Sequence, residues 1–384
     1  MGMLIDKDLV VDGKSLIAAA EWDAELKTKQ EQLSELLRRA GLNAILLKRF
    51  ENVSWLTGGA VEMRVAIPAE TGVGSVLVTV AGKRYYLSTL NEAPRQKAEE
   101  FNGLDFEPVH WPWYEDHTVE QSQRLGGEKI GSDTPIEGFQ LVNLFPLRAA
   151  LQHTEITRFR WVSQQAAQAT IEVLRQVEPG ETEYEMEAAT AAALHKRGML
   201  PSVLLMGADE RILKFKHAVA RGALVKKYAM VNLCARKWGL AVSITRFVHF
   251  GPVPGELQRR FEASAQVNAA LFDATRVGAT SGELFEVARK AYVAQGFPGE
   301  EQKHHQGGPA GYWEREWVAI PGGRETVVNN QAFAWNPSIQ GGKVEDTMLL
   351  SDGKIDVLTA TPDLPVLAAS ANGHSYPTSG VLEK

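Results

Sequence analysis

The sequence has little of several features that mark special protein classes. Its 384 residues include one cysteine, Cys234. A single cysteine excludes an internal disulfide and a thiolate metal cluster, and it is typical of a reducing compartment. No apolar run approaches the roughly 18–20 residues that a membrane-spanning helix needs. The first residues show no basic stretch followed by an apolar core, so we expect a cytoplasmic protein.

An excess of one charge sign is also missing. Lys and Arg number 41 against 47 Asp and Glu, which gives a net charge of −6. This mild balance argues against a nucleic-acid partner or an anionic membrane surface. Hydrophobic residues make up 44% and charged residues 23%. Such a chain buries a sizeable core, which excludes disordered, collagen-like and coiled-coil classes.

Hydrophobic periodicity divides the chain into two domains and a tail. Residues 1–150 alternate an amphipathic helix, over 21–40, with short β-rich runs, which predicts an α/β domain. Residues 151–370 follow the order of two helices, sheet, two helices, sheet, which indicates an internal pseudo-duplication. The polar residues 371–384 are predicted to be a flexible tail.

Four clusters of the second half contain residue types capable of chemistry. In chain order they cover residues 211–217, 231–234 with 243–246, 304–316, and 335–338 with 343–347. Taken singly, each has a structural explanation: His217 as a surface residue, Asn336 as the start of a turn, and Glu345 as a solvated strand end. Residues 304–316 are the hardest to explain in that way. They combine two imidazoles, four glycines or prolines before an aromatic pair, and an Arg-Glu pair, which suit close approach to a ligand and proton exchange.

The order and spacing of these clusters resemble the pita-bread metallopeptidase superfamily, which includes aminopeptidase P, prolidase, methionine aminopeptidase and creatinase. The first half resembles the α/β domain that precedes the catalytic domain in creatinase and aminopeptidase P. The resemblance covers about residues 15–365. It implies an α+β protein, in which a creatinase-like α/β domain is followed by a pita-bread domain of pseudo-duplicated helices over a curved, mostly antiparallel sheet.

Active members of that superfamily hold two divalent metals with Asp, Asp, His, Glu and Glu. In this chain the five matching positions are occupied by Asn232, Ser243, Gly308, Asn336 and Glu345. Only the last is a carboxylate, and one carboxylate cannot chelate and neutralise two divalent ions. The resemblance therefore implies a site without the metal pair and without another cofactor.

Creatinase resembles this chain in carrying asparagine for aspartate and in working without metal. Its acid–base histidine matches His217 in order. In creatinase the partner subunit lends an arginine that binds the substrate carboxylate, and Arg64 lies in a comparable region. The resemblance thus implies a homodimer.

From these residues we predict a proton-transfer site. The expected catalytic groups are His217 and His305, which face the carboxylates Glu345 and Glu316. A two-pronged contact from Arg315 or Arg64 is expected to hold a substrate carboxylate. The expected substrate contacts are His304, Asn232, Asn336, Arg315, Arg64 and Tyr312.

The predicted function is a metal-independent, creatinase-like hydrolase or lyase that acts on a C–N bond of a small amino-acid-like or amidine-like substrate. Two alternatives stay open. One is a non-catalytic pseudo-peptidase that binds a peptide or metabolite. The other is an Xaa-Pro-type aminopeptidase with a single rebuilt metal site at His305, Glu345 and His217.

Overall fold

A computed structural model describes residues 10–11 and 14–384, with side chains described from residue 16 onward. The chain forms two compact units, of which the first ends at Arg158 and the second begins at Phe159. The division falls a few residues after the boundary predicted from the sequence. Among the described residues, no helix combines the length and apolar character that a membrane span requires.

Unit 1 is built around a six-stranded mixed sheet. A separate two-stranded pair is formed by β1 (Val10–Val11) and β2 (Lys14–Ser15). The six strands of the main sheet are β3 (Ala44–Arg49), β4 (Thr71–Thr79), β5 (Arg84–Thr89), β6 (Glu107–Trp111), β7 (Ile130–Ser132) and β8 (Gln140–Leu141). Its helices are α1 (Ala19–Ala40), α2 (Phe50–Leu56), α3 (Ala93–Arg95), α4 (Thr118–Gly126) and α5 (Phe145–Arg148), with a π-helical turn at Gln96–Glu100. The sheet order is β6-β5-β4-β3-β7-β8. The predicted helix over residues 21–40 is confirmed as α1, which ends at Gly41 in the left-handed conformation.

Unit 2 begins within a long helix and contains two four-stranded sheets. The helices are α6 (His153–Gln176), α7 (Glu183–His195), α8 (Glu210–Lys214), α9 (Gly255–Ala274) and α10 (Ser281–Ala294), with a 3-10 turn at Glu300–Gln302. The main strands are β9 (Leu200–Ala208), β10 (Tyr228–Lys237), β11 (Leu240–His249), β12 (Gly307–Ala310), β13 (Gln331–Trp335), β14 (Ser338–Ile339), β15 (Gly342–Lys343), β16 (Asp346–Ser351) and β17 (Lys354–Val357). Short strands follow: β18 (Val366–Leu367), β19 (Ser370–Ala371), β20 (His374–Ser375), β21 (Thr378–Ser379) and β22 (Leu382–Glu383).

The element order of unit 2 repeats. Helices α6 and α7 precede the antiparallel strands β9 to β11, and helices α9 and α10 precede the antiparallel strands β12, β13 and β16. The pseudo-duplication predicted from the sequence is therefore confirmed. Both second helices, α7 and α10, begin at a capping box, because a threonine side chain accepts from the backbone N–H of a glutamate three residues later.

The hairpin β10–β11 positions several polar residues in the interior of unit 2. Its tight turn has Trp238 and Gly239 at positive φ, 53° and 76°. This turn sets the register that pairs Asn232 with Thr245. An isolated bridge between Thr245 and Glu345 then joins this hairpin to the segment that precedes β16. The bridge thus joins the two halves of the repeat at two buried polar residues, Thr245 and Glu345.

The segment from residue 371 to 384 differs from the predicted flexible tail. Leu382 and Glu383 pair in parallel with the end of β11. The Lys384 side chain donates to the backbone carbonyl of Val177 at 2.6 Å and to that of Arg175 at 2.9 Å. The segment was predicted to be flexible because its side chains are polar. Backbone hydrogen bonds pair it with β11, and side-chain polarity does not reveal such bonds.

Candidate active site

The centre of the site is the carboxylate of Glu345, whose residue is 2% exposed. The Lys343 Nζ atom lies 2.8 Å from its Oε2, and the Arg315 Nη2 atom lies 2.7 Å from its Oε1. The Asn232 amide and the Thr245 hydroxyl each donate to Oε2 at 2.5 Å. Four donors therefore take both oxygens of one carboxylate.

These contacts fix the charge state of Glu345. Burial of the carboxyl opposes ionisation, but the charges of Lys343 and Arg315 hold the pKa of Glu345 well below its usual range. A carboxylate in this state is a poor proton acceptor, so it anchors the two cations instead. Two cationic side chains face one carboxylate, which leaves an excess of positive charge at the site.

Strand geometry explains why these residues meet. Lys343 and Glu345 stand two positions apart in an extended segment, so their side chains point to the same face. The register of β10 and β11 pairs Cys234 with Ser243 beside the Asn232 pair, and Ser243 Oγ accepts from Arg315 Nη1 at 2.8 Å. Burial raises the pKa of the Cys234 thiol to about 12, so Cys234 is a core thiol and not a nucleophile.

Three imidazoles form a second cluster in the same site. His217 and His304 approach to 2.9 Å between their Nε2 atoms. The rings of His304 and His305 stack with centroids 4.4 Å apart. In the His217–His304 contact one nitrogen donates and the other accepts, so the pair can pass a proton in either direction.

Buried polar contacts hold the histidines in place. Gln306 is fully buried, donates to the backbone carbonyl of His304 and accepts from the Tyr292 hydroxyl at 2.8 Å. Lys216, next to His217, contacts the Glu300 carboxylate at 2.8 Å. This ion pair connects the segment of His217 to the turn that precedes His304.

The surroundings keep all three imidazoles uncharged near neutral pH. Burial lowers the pKa of His304 to about 2, with a further contribution from the charge of Lys343. His305 keeps contact with solvent, yet the surrounding protein and the charge of Arg315 lower its pKa to about 4. Partial burial and Lys343 also lower the pKa of His217. Because Lys343 and Glu345 act on every one of these pKa values, the imidazoles and the carboxylate cluster belong to one electrostatic site.

Several buried polar atoms of the site lack a hydrogen-bond partner within the described chain. They are the Asn336 Oδ1, His304 Nδ1 and Arg315 Nε atoms. Asn336 is 2% exposed, and its backbone N–H donates to the Gln306 carbonyl at 2.9 Å, which places it beside the histidine turn. Unpaired buried polar atoms are costly, so their accumulation here is typical of a ligand site.

The other predicted site residues have different surroundings. Tyr312 is fully buried. Glu316 is half-buried, and its backbone N–H donates to the Pro309 carbonyl at 2.8 Å. Arg64 belongs to unit 1, where its guanidinium lies 4.1 Å from the Phe50 ring centroid and 3.5 Å from the Glu62 carboxylate.

Sequence reasoning missed two contributors to the site, Lys343 and Thr245. Their signal is strand alternation: Lys343 shares a face with Glu345, and Thr245 shares a face with Ser243. Arg315 was predicted to hold a substrate carboxylate by a two-pronged contact. In the structure its two terminal nitrogens are bonded to Ser243 and Glu345, and Nε is the nitrogen that has no hydrogen-bond partner.

The donor set does not fit the metal pair of the pita-bread peptidases. At Gly308, the position of the ligand histidine, a Cβ atom would lie 1.9 Å from the carbonyl oxygen of Trp317, so no side chain has room. Asn232 presents its amide nitrogen, a donor, to Glu345. Both oxygens of Glu345 are already bonded to Lys343, Arg315, Asn232 and Thr245. Divalent ions need several free oxygen or imidazole ligands, and Gly308, Asn232 and Glu345 supply none.

Comparison with known proteins agrees with the fold described above. Residues 157–352, about half of the chain, match the sequence model of metallopeptidase family M24. No curated protein is similar to the chain in sequence.

Solved structures with a similar fold have low sequence identity to the chain. Dipeptidase PepE from Mycobacterium ulcerans has a TM-score of 0.74 and 15% identity, over 94% of this chain and 99% of that chain. The prolidase from Pyrococcus horikoshii OT3 has a TM-score of 0.72 and 17% identity, over 87% and 98%. The N-terminal domain of the FACT complex subunit SPT16 from Cicer arietinum (chickpea) has a TM-score of 0.64 and 14% identity, over 87% and 96%. At such identities the likeness is one of fold, which is the prolidase-like pita-bread fold.

Proposed function

The chain belongs to metallopeptidase family M24, and from this premise we propose an enzyme that has replaced the metal chemistry of its fold with imidazole acid–base chemistry. The substrate is a small amino-acid-like or amidine-like molecule with a carboxylate, and the enzyme breaks one of its C–N bonds. The observation that carries the proposal is the 2.9 Å contact between His217 and His304, beside buried polar atoms that have no partner.

The substrate would be oriented by charge and by single hydrogen bonds. The excess positive charge of Lys343 and Arg315 over Glu345 attracts a carboxylate, and Arg315 Nε is left to donate to it. Asn336 Oδ1 accepts an N–H of the substrate amine or amidine. Buried groups of this kind discriminate against molecules that lack the matching donor.

The chemical step would be a balanced hydrolysis. His217 removes a proton from water as its oxygen forms a bond to the substrate carbon, while the C–N bond breaks. The His217–His304 pair returns that proton to the leaving nitrogen, so the imidazoles end as they began. Glu345 stays ionised throughout and keeps Lys343 and Arg315 in place.

A substrate screen with metal-free protein tests the proposal. Chelator-dialysed protein is assayed against amidines, small amides and Xaa-Pro dipeptides, and the His217→Asn variant is compared on any substrate found. We expect turnover without metal and a loss of about 10²–10⁴-fold in the variant. The control is His195→Asn, at an exposed histidine that ends α7. Turnover that chelators abolish and manganese or zinc restores, or full turnover by His217→Asn, contradicts the proposal.

A second candidate function is binding without catalysis. The observation in its favour is that the one remaining carboxylate, Glu345, has four donors and is not available as a base. A ligand that raises the melting temperature but is recovered unchanged after long incubation would support this candidate. A single-metal Xaa-Pro aminopeptidase is less favoured, because Glu345 would first have to leave Lys343 and Arg315.

We also infer that the enzyme acts as a homodimer. Two exposed aromatic residues of unit 1, Trp113 and Tyr114, are 72% and 70% exposed, which suits an association surface. Light scattering of the purified chain tests this inference, and a monomer would also remove any role for Arg64 in a neighbouring subunit's site.

A further inference from the structure

Three histidines of the site are arranged as ligands of one ion. The ligand nitrogens of His217, His304 and His305 all lie within 4.8 Å of one another, the one such grouping of potential metal ligands within the described part of the chain. We propose that these three imidazoles bind a single transition-metal ion at a place distinct from the paired-metal centre of the family.

The required adjustment is small. Bonds of about 2.0–2.1 Å from zinc to imidazole nitrogen in tetrahedral geometry place ligand nitrogens roughly 3.3 Å apart. His217 and His304 are already at 2.9 Å. His217 and His305 are exposed, so rotation of their side chains can complete the arrangement while His304 is held by Gln306.

The segments that carry the ligands are tied together before any ion binds. The Lys216–Glu300 ion pair and the donation from Lys216 to the Ser338 carbonyl, both at 2.8 Å, fix the His217 segment against the histidine turn. Such preorganisation reduces the conformational entropy that binding has to remove.

The nearest charges leave the site able to accept a cation. The charge of Lys343 opposes a nearby cation, but Lys343 is paired with Glu345, which offsets much of that opposition.

The ligand chemistry selects the ion. Imidazole nitrogen suits Zn²⁺, Ni²⁺, Co²⁺ and Cu²⁺, whereas Mg²⁺ and Ca²⁺ prefer oxygen. Glu345 is not a ligand here, since its oxygens are bonded to Lys343 and Arg315 among others. The ion would occupy the lone pairs that move protons, so it would inhibit the enzyme. This last consequence rests on the function proposed above, whereas the binding site does not.

The test measures binding directly on the full chain. After chelator dialysis, Zn²⁺ is titrated calorimetrically, and Co²⁺ is used as a probe through its visible absorption. We expect one ion per chain and no heat from Mg²⁺. His217→Asn, His304→Asn and His305→Asn should each weaken Zn²⁺ binding at least about tenfold. The matched control is His195→Asn, which should bind as the unmodified chain does.

Each outcome decides the matter. Absence of saturable Zn²⁺ binding, or binding that none of the three substitutions weakens, overturns the site. If His304→Asn does not fold, the exposed His217 and His305 variants still decide. Zn²⁺ that binds at these histidines and activates turnover would support the site but refute the metal-free function, whereas metal-free turnover without Zn²⁺ binding would do the reverse.

Discussion

Two buried ionic clusters, one in each unit, use the same residue types but differ in whether their charges balance. In unit 1, Lys29 contacts Glu25 at 2.6 Å and Glu155 at 2.8 Å, and Arg158 contacts Glu25 at 2.6 Å. All four residues are at most 2% exposed. Two cations thus meet two carboxylates. In unit 2, two cations meet the single carboxylate Glu345.

The difference separates a structural network from a site. In unit 1 the remaining oxygen of Glu25 accepts from the Thr154 hydroxyl at 2.6 Å, and Arg158 also donates to the Gly58 carbonyl at 2.5 Å. The unit 2 cluster has two cations around its one carboxylate and therefore an excess of positive charge. A balanced network contributes to one native arrangement, whereas an unbalanced one is completed by a ligand.

Breaking the balanced cluster should have the largest effect on stability. Glu25→Gln leaves Lys29 and Arg158 buried with one carboxylate between them, and we expect a loss of about 3–5 kcal/mol in the free energy of unfolding. Urea unfolding followed by tryptophan fluorescence measures it. As a control, Glu35→Gln removes a carboxylate of the same helix that pairs with exposed arginines, and the unfolding midpoint should not move. Equal loss in both variants would contradict the comparison.

Breaking the unbalanced cluster should cost less, because water reaches its cations: the side chains of Lys343 and Arg315 are 9% and 12% exposed, whereas those of Lys29 and Arg158 are fully buried. Glu345→Gln should lower the free energy of unfolding by about 1–3 kcal/mol, measured in the same way. The double variant Glu345→Gln with Lys343→Met should recover part of that loss, since it removes one of the two cations left without a counter-charge. A double variant whose loss equals the sum of the two single losses would show that the charges are not coupled.

Removing the excess cation of the unit 2 cluster should change stability less than removing its carboxylate. Lys343→Met leaves Arg315 and Glu345 as a neutral pair, and we expect less than about 1 kcal/mol in stability. Binding of an anionic ligand should weaken, and Zn²⁺ binding should strengthen, because the same charge attracts one and repels the other. Calorimetric titration with each ligand measures the two affinities. If both affinities rise or both fall in the variant, this explanation is contradicted.

The remaining prediction concerns pH. The pKa of His304 is about 2 when folded, against 6.5 for the unfolded residue. Below pH 6.5 the unfolded chain binds a proton that the folded chain does not, so stability falls as the pH falls, and no loss occurs above 6.5. Between pH 7 and pH 4.5, His304→Asn should reduce the drop in melting temperature by at least about 2 °C relative to the unmodified chain. If the melting temperature drops equally in the variant and in the unmodified chain, His304 is not a source of the acid destabilisation.

Local patterns allowed much of the fold to be predicted. The helix over residues 21–40 and the repeated order of helices and strands over residues 151–370 follow from apolar spacing among neighbours within a few residues. The family resemblance assigned Asn232 and Glu345 to one site, and in the structure the two side chains are hydrogen-bonded.

The contacts that were missed are non-local. The Thr245 hydroxyl reaches the Glu345 carboxylate across 100 positions of the chain, where an isolated bridge joins the two residues. The contact between His217 and His304 joins residues 87 positions apart. No pattern in one sequence fixes such distances, because they are set by the packing of whole elements.

The crowding at Gly308 has a consequence for redesign. Since the Trp317 carbonyl occupies the space where any side chain would begin, histidine introduced at this position cannot by itself create the ligand set of the paired-metal peptidases. The backbone around residue 317 would have to move first, and three further matching positions, Asn232, Ser243 and Asn336, would still lack their ligands. The route to such a metal centre therefore begins with the backbone of this turn and not with the exchange of side chains.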